Sequence, residues 1–314
     1  MTGLKRFEFY LLQIEEIFLK AGFEENPALY LLKIDARSSL FRLEALSRIY
    51  YGVYGNNFFK KLDERFKTLE DLLGKMDEFF AAEKDLGEKG ERAEMLAQLN
   101  KNGNLKSGEL NELLKKEGWL TGKRLKKIRA KLEKFSWKKP KKEIKRIKEF
   151  LEYEIAIIIE FHSAHFIFTE LESQLHEMRR KLRWLSIYPH ALQGAIQLTD
   201  SHPDDLSLLK YQSQEVVISP FNKMPDVGEN KHLILFEKSR FLALSWMISE
   251  LGKLKDKGIL KETSDKIATE LNVEINSTLD QTNEREILNE ASEICRSFFD
   301  EHQLLQLIYG TAEI

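Results

Sequence analysis

The chain has 314 residues, of which 42% are apolar and 32% charged, and its net charge is −2. This composition is typical of a globular protein and excludes an intrinsically disordered chain. A single cysteine, Cys295, excludes an internal disulfide and a multi-cysteine metal site, so a reducing, cytoplasmic location is expected. The longest apolar run, residues 155–159, is far shorter than the roughly 20 residues of a membrane-spanning helix, so no membrane association is expected.

Apolar residues recur with helical spacing from Phe7 onward, which predicts an all-helical fold. Pro27 is well placed to begin a second helical segment, which we expect to end near Tyr51. Residues 56–84 continue as helix. Between 85 and 122, glycine and asparagine indicate short helices and turns, including a turn at residues 102–104.

A basic block follows, in which residues 123–148 contain fourteen Lys or Arg and only two Glu. Such a block forms either a solvated helix face or a docking surface for a polyanion. Nucleic acid is not the expected partner, because Phe135 and Trp137 are the only aromatic residues available for base stacking. Apart from an interruption at Pro140, helix is predicted through this block and then without a break from about residue 141 to 188.

Residues 189–231 differ from the rest of the chain and hold four of its six prolines. The run 215–218, a Glu followed by three β-branched apolar residues, is the best strand candidate, although it is too isolated to form a sheet. Helix is predicted again from Lys231 to Tyr309, with a break near residues 273–281.

No phosphate-binding glycine loop, nucleophile elbow or zinc-protease motif occurs in the sequence. One Glu-x-x-His pair, Glu229 and His232, stands alone, whereas a di-iron bundle needs two such pairs and further carboxylates. The sequence therefore predicts a non-enzymatic protein with no catalytic residue, no metal and no cofactor.

Polar residues of the predicted long helix fall on one narrow face that borders its apolar face. They are His162, His165, Thr169, Glu172, His176, Arg179 and Arg183. This stripe is either a line of donors suited to phosphate oxygens or a seam of polar contacts between helices, in which Glu172 pairs with His176 or Arg179. A catalytic interpretation would need an activated nucleophile, and nothing marks Ser163, Thr169 or Ser173 as one.

The lower end of the stripe carries His176, Arg179 and Arg183 in a His-x-x-Arg pattern that is followed by further basic residues. It resembles the basic helix of CHAD domains, the histidine-containing α-helical family. The family's Leu-Gly-x-x-x-Asp element is matched by residues 251–256. A less complete copy of both motifs occurs earlier in the chain. Arg37 matches the arginine of the first motif, and residues 73–77 resemble the second motif with one residue missing. The resemblance covers roughly residues 30–265.

This resemblance implies an all-α fold of two similar antiparallel helical bundles, duplicated four-helix-type halves packed as one unit around a basic groove. The expected divisions are an N-terminal half with a small insert (1–122), a basic connecting segment (123–150) and a C-terminal half (151–314) with the proline-rich insertion 189–231. Carried over by position, or added by helical periodicity, the expected anion contacts are Lys33, Arg37, Arg42, Arg48, His176, Arg179 and Arg183.

The function that the resemblance implies is the binding of a polyanion, with inorganic polyphosphate as the expected ligand. The alternative is a helical scaffold that has lost anion binding and docks a protein partner, for instance through residues 189–231. The first interpretation needs the arginines of the two halves to converge, and the second is favoured where Glu and Asp neutralise them.

Overall fold

The computed structural model describes residues 1–199, 206–274, 283–301 and 304–313. Within these ranges the chain is mostly helical, with three short strands in one sheet. The helices are α1 Gly3–Ala21, α2 Pro27–Lys33, α3 Ala36–Tyr54, α4 Asn57–Glu88, α5 Ala93–Glu117, α6 Lys123–Glu133, α7 Pro140–Ala164, α8 Glu177–Ala191, α9 Gln214–Ile218, α10 Lys238–Leu271 and α11 Glu284–Arg296. The strands are β1 Ile196–Thr199, β2 His232–Glu237 and β3 Ile308–Glu313.

The predicted helical class is confirmed in its main content, but the sheet was not predicted. β2 is the central strand and pairs in parallel with β1, where Ile196 lies opposite Ile234. Its other edge pairs antiparallel with β3, where Leu235 lies opposite Gly310. The prediction of helix from Lys231 to Tyr309 is therefore wrong at both ends, because two segments distant in sequence supply each other's backbone hydrogen bonds.

The strand predicted at residues 215–218 is also wrong. These residues belong to the short helix α9, where the Ser213 side chain accepts a hydrogen bond from the Val216 amide. Three consecutive apolar residues are too few for their periodicity to distinguish a strand from a helix, and the capping serine favours the helix here.

The single helix predicted from residue 141 to 188 is wrong, because α7 ends at Ala164 and α8 begins at Glu177 after a π-helical segment, Leu171–His176. Side chains replace the helical hydrogen bonds across the break. The Phe168 amide donates to the Ser292 hydroxyl of α11 at 2.8 Å, and the Thr169 amide donates to the Gln174 side chain at 2.7 Å. Such tertiary partners are not visible in the periodicity of one helix.

Two further boundaries differ from prediction. The segment expected to run from Pro27 to Tyr51 is interrupted where Asp35, with a left-handed φ of 52°, separates α2 from α3. Conversely, the turn expected at residues 102–104 lies inside α5. A Cβ on Gly103 would stand 2.6 Å from the Phe80 ring, so this glycine allows α4 and α5 to approach closely and does not mark a turn.

One hydrophobic core contains buried side chains from Phe7 in α1 to Leu307 just before β3. A second, smaller cluster forms where the far end of α10 meets the α4–α5 pair and includes Leu86, Leu99 and Ile267. No helix in the described part of the chain is long and apolar enough to cross a membrane.

A buried ion pair fastens α1 to the rest of the molecule. Arg6 is 1% exposed and Glu143 of α7 is fully buried, and their side chains meet at 2.6 Å. The same guanidinium donates to the Tyr50 hydroxyl of α3 at 2.8 Å and to the carbonyl of Leu192, beyond the end of α8, at 3.1 Å. It also donates to Asn230, just before β2, at 3.0 Å. One side chain thereby joins five parts of the chain.

We expect Arg6→Met to lower the free energy of unfolding by about 3–5 kcal/mol, because it leaves the Glu143 carboxylate buried without its cation. Urea denaturation of both proteins measures the loss. The control is Arg146→Met, which removes an exposed pair with Glu149 and should cost no more than about 1 kcal/mol. Equal losses in the two variants would show that the buried pair contributes no more to the free energy of unfolding than the exposed pair.

Candidate functional site

Charged side chains face one another where α3, α4, α8 and α10 meet. On α3, Arg37, Phe41, Glu44 and Arg48 recur with a spacing of four, three and four residues, so they share one face of the helix. α8 supplies arginines to the same region, and α4 and α10 each supply a glycine and neighbouring carboxylates. We describe the cations first and then the acids.

Arg37, at the start of α3, is half-buried and held by two carboxylates of α4. Its Nε and Nη2 donate to Oε1 of Glu70 at 3.0 and 2.5 Å, and its Nη1 donates to Oδ2 of Asp77 at 3.2 Å. The guanidinium lies against Gly74, where a Cβ would stand 2.9 Å from Nη2. The positive charge of Arg37 is therefore largely compensated.

Arg179, at the start of α8, has a similar relation to α10 but no carboxylate clamp. Its Nε donates to the backbone carbonyl of Ile248 at 3.3 Å. A Cβ on Gly252 would stand 3.0 Å from that same Nε, so a glycine again makes room for the guanidinium. Burial lowers the pKa of Arg179 below its usual value, although the charge of Asp256 acts in the opposite direction.

Arg183 is one helical turn further along α8. Its guanidinium carbon lies 4.3 Å from the centre of the Phe41 ring, and that of Arg37 lies 5.6 Å from the same ring. Within the described residues, its guanidinium forms no hydrogen bond or ion pair. Burial and then the neighbouring charge of Arg179 lower the pKa of Arg183 to about 10. It remains protonated at neutral pH, so the shift indicates a positive charge that is poorly compensated.

His176 extends this cluster at the other side of Arg179. Its Nδ1 lies 2.9 Å from the exposed carboxylate of Glu172. Burial lowers the pKa of His176; Glu172 raises it, while Lys255 of α10 and Arg179 lower it further. Lys255, which pairs with Asp256 at 2.7 Å, adds a fourth permanently charged cation to the region. We call Arg37, His176, Arg179, Arg183 and Lys255 the cation cluster.

The other three expected anion contacts, Lys33, Arg42 and Arg48, do not belong to the cation cluster. Arg48 pairs with Glu154 of α7 at 3.3 Å and lies 4.7 Å from the Trp184 ring. Arg42 donates to the Ser38 carbonyl at 3.2 Å and lies 5.9 Å from the ring of Tyr10. Lys33 is the exposed last residue of α2.

The upper half of the expected polar stripe does not continue the cation cluster, because the break after Ala164 separates the two. His162 is buried and stacks on Phe299 at 4.3 Å. The His165 ring contacts the Phe161 carbonyl at 3.0 Å, and Thr169 lies in the break itself. Only Glu172, His176, Arg179 and Arg183 remain together, so the seven-residue stripe is wrong as a continuous helix face.

Two buried acids stand beside the cations. Glu44 of α3 is 3% exposed, and its Oε2 has no hydrogen-bond partner within the described chain. Burial, together with the charges of Asp63 and Glu70, raises the pKa of Glu44 to about 8. Burial raises the pKa of Asp63 on α4 to about 6. Glu44 is thus mostly protonated at neutral pH and does little to neutralise the neighbouring cations.

Sequence reasoning missed Phe41, Glu44, Glu70 and Lys255. The first two were detectable, since they continue the helical spacing of Arg37 and Arg48. Glu70 lies four residues before Gly74 and shares its face, but the choice of Arg37 as its partner depends on how α3 and α4 pack. Chemically, the arrangement suits the binding of an anion, because Arg179 and Arg183 offer guanidinium donors that pair with no carboxylate in the described part of the chain. No three His, Cys, Asp or Glu side chains of the described ranges are placed to hold a metal.

The raised pKa of Glu44 gives a testable pH dependence. Its folded-state pKa of about 8 lies above the ordinary 4.5, so between these values the unfolded chain binds fewer protons and stability falls as pH rises. Glu44→Gln removes this loss, and we expect it to stabilise the fold by roughly 3 kcal/mol at pH 7 and hardly at all at pH 4. Urea denaturation across this pH range measures the difference. The exposed Glu64→Gln serves as control, and a gain from Glu44→Gln that is independent of pH would contradict the assignment.

Comparison with family models, with curated proteins and with solved structures gives no match for this chain.

Proposed function

We propose that this is a non-enzymatic helical protein that binds a polyanion at the cation cluster, with inorganic polyphosphate as the ligand. The observation that carries the proposal is the guanidinium of Arg183. It is half-buried between Arg37 and Arg179, and no carboxylate of the described residues pairs with it. An anion would supply the missing counter-charge, and guanidinium groups bind phosphate oxygens bidentately.

The proposal includes the duplicated, CHAD-like architecture that the sequence motifs imply. Two related contacts support it. Arg37 begins α3 and lies against Gly74 of α4, while Arg179 begins α8 and lies against Gly252 of α10. In each contact an arginine near the start of one helix packs on the glycine of a Leu-Gly pair in a later helix. The first copy differs in having Ile34 where the motif has histidine, and its arginine is clamped by carboxylates.

Binding would be electrostatic in origin. Cationic side chains replace the small counterions along a polyanion, and the release of those ions makes the affinity fall steeply with added salt. His176 would take part as a cation only once a nearby phosphate raised its pKa, because burial, Lys255 and Arg179 now lower it. Arg37 would contribute in competition with Glu70 and Asp77, which already hold it.

The second candidate function is a helical scaffold that docks a protein partner. Two observations favour it: carboxylates neutralise Arg37 and Arg48, and the proline-rich stretch exposes Val217, Ile218 and Phe221, the last by 65%. Size-exclusion chromatography with light scattering, followed by a pull-down, tests this function. A specific partner together with no polyphosphate binding at low salt would favour the scaffold.

We expect Arg183→Gln to weaken polyphosphate binding by at least about tenfold, since it removes a charge-assisted contact. Titration of long-chain polyphosphate at about 50 and 200 mM salt measures the affinity and its salt dependence, whose slope should fall by about one. Arg180→Ala is the matched control, because Arg180 lies on the same helix but is exposed and paired with Glu177 at 2.6 Å. No binding to the unaltered protein even at low salt would refute the proposed function.

For Glu70→Gln we expect the same titration to show tighter polyphosphate binding. Loss of this carboxylate frees the Arg37 guanidinium and lowers the negative charge beside Arg183, so polyphosphate should bind about fivefold more tightly. Glu78→Gln is a control on the same helix, since Glu78 pairs with Lys75 at 2.8 Å and not with the cluster. An unchanged or weaker affinity in Glu70→Gln would show that Arg37 takes no part in binding.

A further inference from the structure

A second cationic surface lies away from the cation cluster, in a cleft of about 310 Å³ between the beginning of α4 and α6. Five basic side chains line it: Arg65, Arg124, Lys127, Lys131 and Lys134. None of its lining residues carries a carboxylate. The cleft belongs to the basic block that the sequence singled out, and the proposed function does not use it.

Three cations of α6, together with Lys134 just beyond its end, form a row along one side of the helix. Arg124, Lys127, Lys131 and Lys134 are separated by three, four and three residues, so they follow one face over about 15 Å. The three lysines are exposed and form no ion pair with any described residue. Arg124 is held by Glu117 at 3.2 Å. Most of the positive charge in this row is therefore uncompensated.

One further cation of α6 is directed elsewhere. Arg129 points to α1, where it bonds Glu8 at 2.9 Å and Glu15 at 2.7 Å. Leu125, Ile128 and Leu132 are buried in the hydrophobic core. These contacts fix the orientation of α6 and leave its lysine face turned to solvent beside α4.

The floor of the cleft is apolar. The half-buried ring of Phe58 and the aliphatic stems of the lysines form it, above the buried Ile128. The Lys131 ammonium lies 5.7 Å from the centre of the Phe58 ring, so one face of that ring is already occupied. Phe135 and Trp137 pack against each other and against Tyr54, which leaves no free aromatic platform for nucleic-acid bases.

We propose that this cleft docks a short acidic segment of a partner protein in which Asp or Glu residues flank a large apolar side chain. The cationic row complements the carboxylates, and the apolar floor complements the side chain between them. A row of about 15 Å matches four or five residues of extended peptide. Inorganic polyphosphate would use the rim of the cleft and leave the floor empty. This inference is independent of the proposed function, because the two surfaces share no residue.

The probe is a fluorescein-labelled peptide with one leucine flanked on each side by two glutamates, and fluorescence anisotropy with the full-length protein at about 100 mM salt measures its binding. We expect saturable binding that Lys127→Glu combined with Lys131→Glu weakens at least tenfold. The control combines Lys101→Glu with Lys266→Glu, two exposed lysines of α5 and α10, and has the same net charge. All four side chains are exposed, so circular dichroism should show an unchanged fold.

Three outcomes would overturn the proposal. The first is no binding of the leucine peptide to the unaltered protein. The second is an equal loss in the control, which would indicate attraction by net charge alone. The third is binding of an all-glutamate peptide or a single-stranded oligonucleotide as tight as that of the leucine peptide, because the apolar floor would then have no role.

Discussion

The guanidinium of Arg6 has no contact with bulk solvent, and this imposes a condition on the whole fold. A buried cation is tolerated only where acceptors surround it, so α1, α3, α7, the end of α8 and the segment before β2 must meet around one side chain. Tyr50 also donates to Glu143, which completes a ring of three partners. The first helix is thereby held to elements up to 224 residues away in the chain.

The cation cluster has the opposite character. Arg6 is satisfied on every side, whereas the half-buried Arg183 lies beside two further arginines and pairs with no carboxylate of the described residues. Glu44 stands close enough to supply a negative charge, but burial keeps it mostly protonated at neutral pH. The fold compensates the buried guanidinium of Arg6 but leaves the half-buried guanidinium of Arg183 without a counter-charge among the described residues, and this contrast is the physical basis for proposing an anion there. Glu70 and Asp77 set a limit on the affinity, because they already hold Arg37.

Much of the helical architecture was predictable, since its signals are local. Pro27 begins α2 as expected, and α7 begins at Pro140, one residue before the expected start of a long helix. Three of the failures involve partners that are distant in sequence. Ser292 of α11 accepts a hydrogen bond from the backbone in the break after α7, where the apolar sequence predicted continuous helix. The Phe80 ring packs against Gly103, so this glycine lies inside a helix and not in a turn. β1 and β3 each pair with β2, which is distant from at least one of them in sequence. Likewise, nothing in the sequence assigns Glu70 to Arg37, because that choice depends on the packing of α3 on α4.

Histidine titration by NMR tests the central claim most directly, because His176 lies within the cation cluster and its pKa is now lowered below 6.5 by burial. A phosphate bound beside Arg179 and Arg183 would stabilise the imidazolium, so added polyphosphate should raise the pKa of His176. His190, whose pKa is also lowered by burial but which bonds the Phe221 carbonyl away from the cluster, should titrate as before. An unchanged His176, or equal shifts at both histidines, would contradict anion binding at the cation cluster.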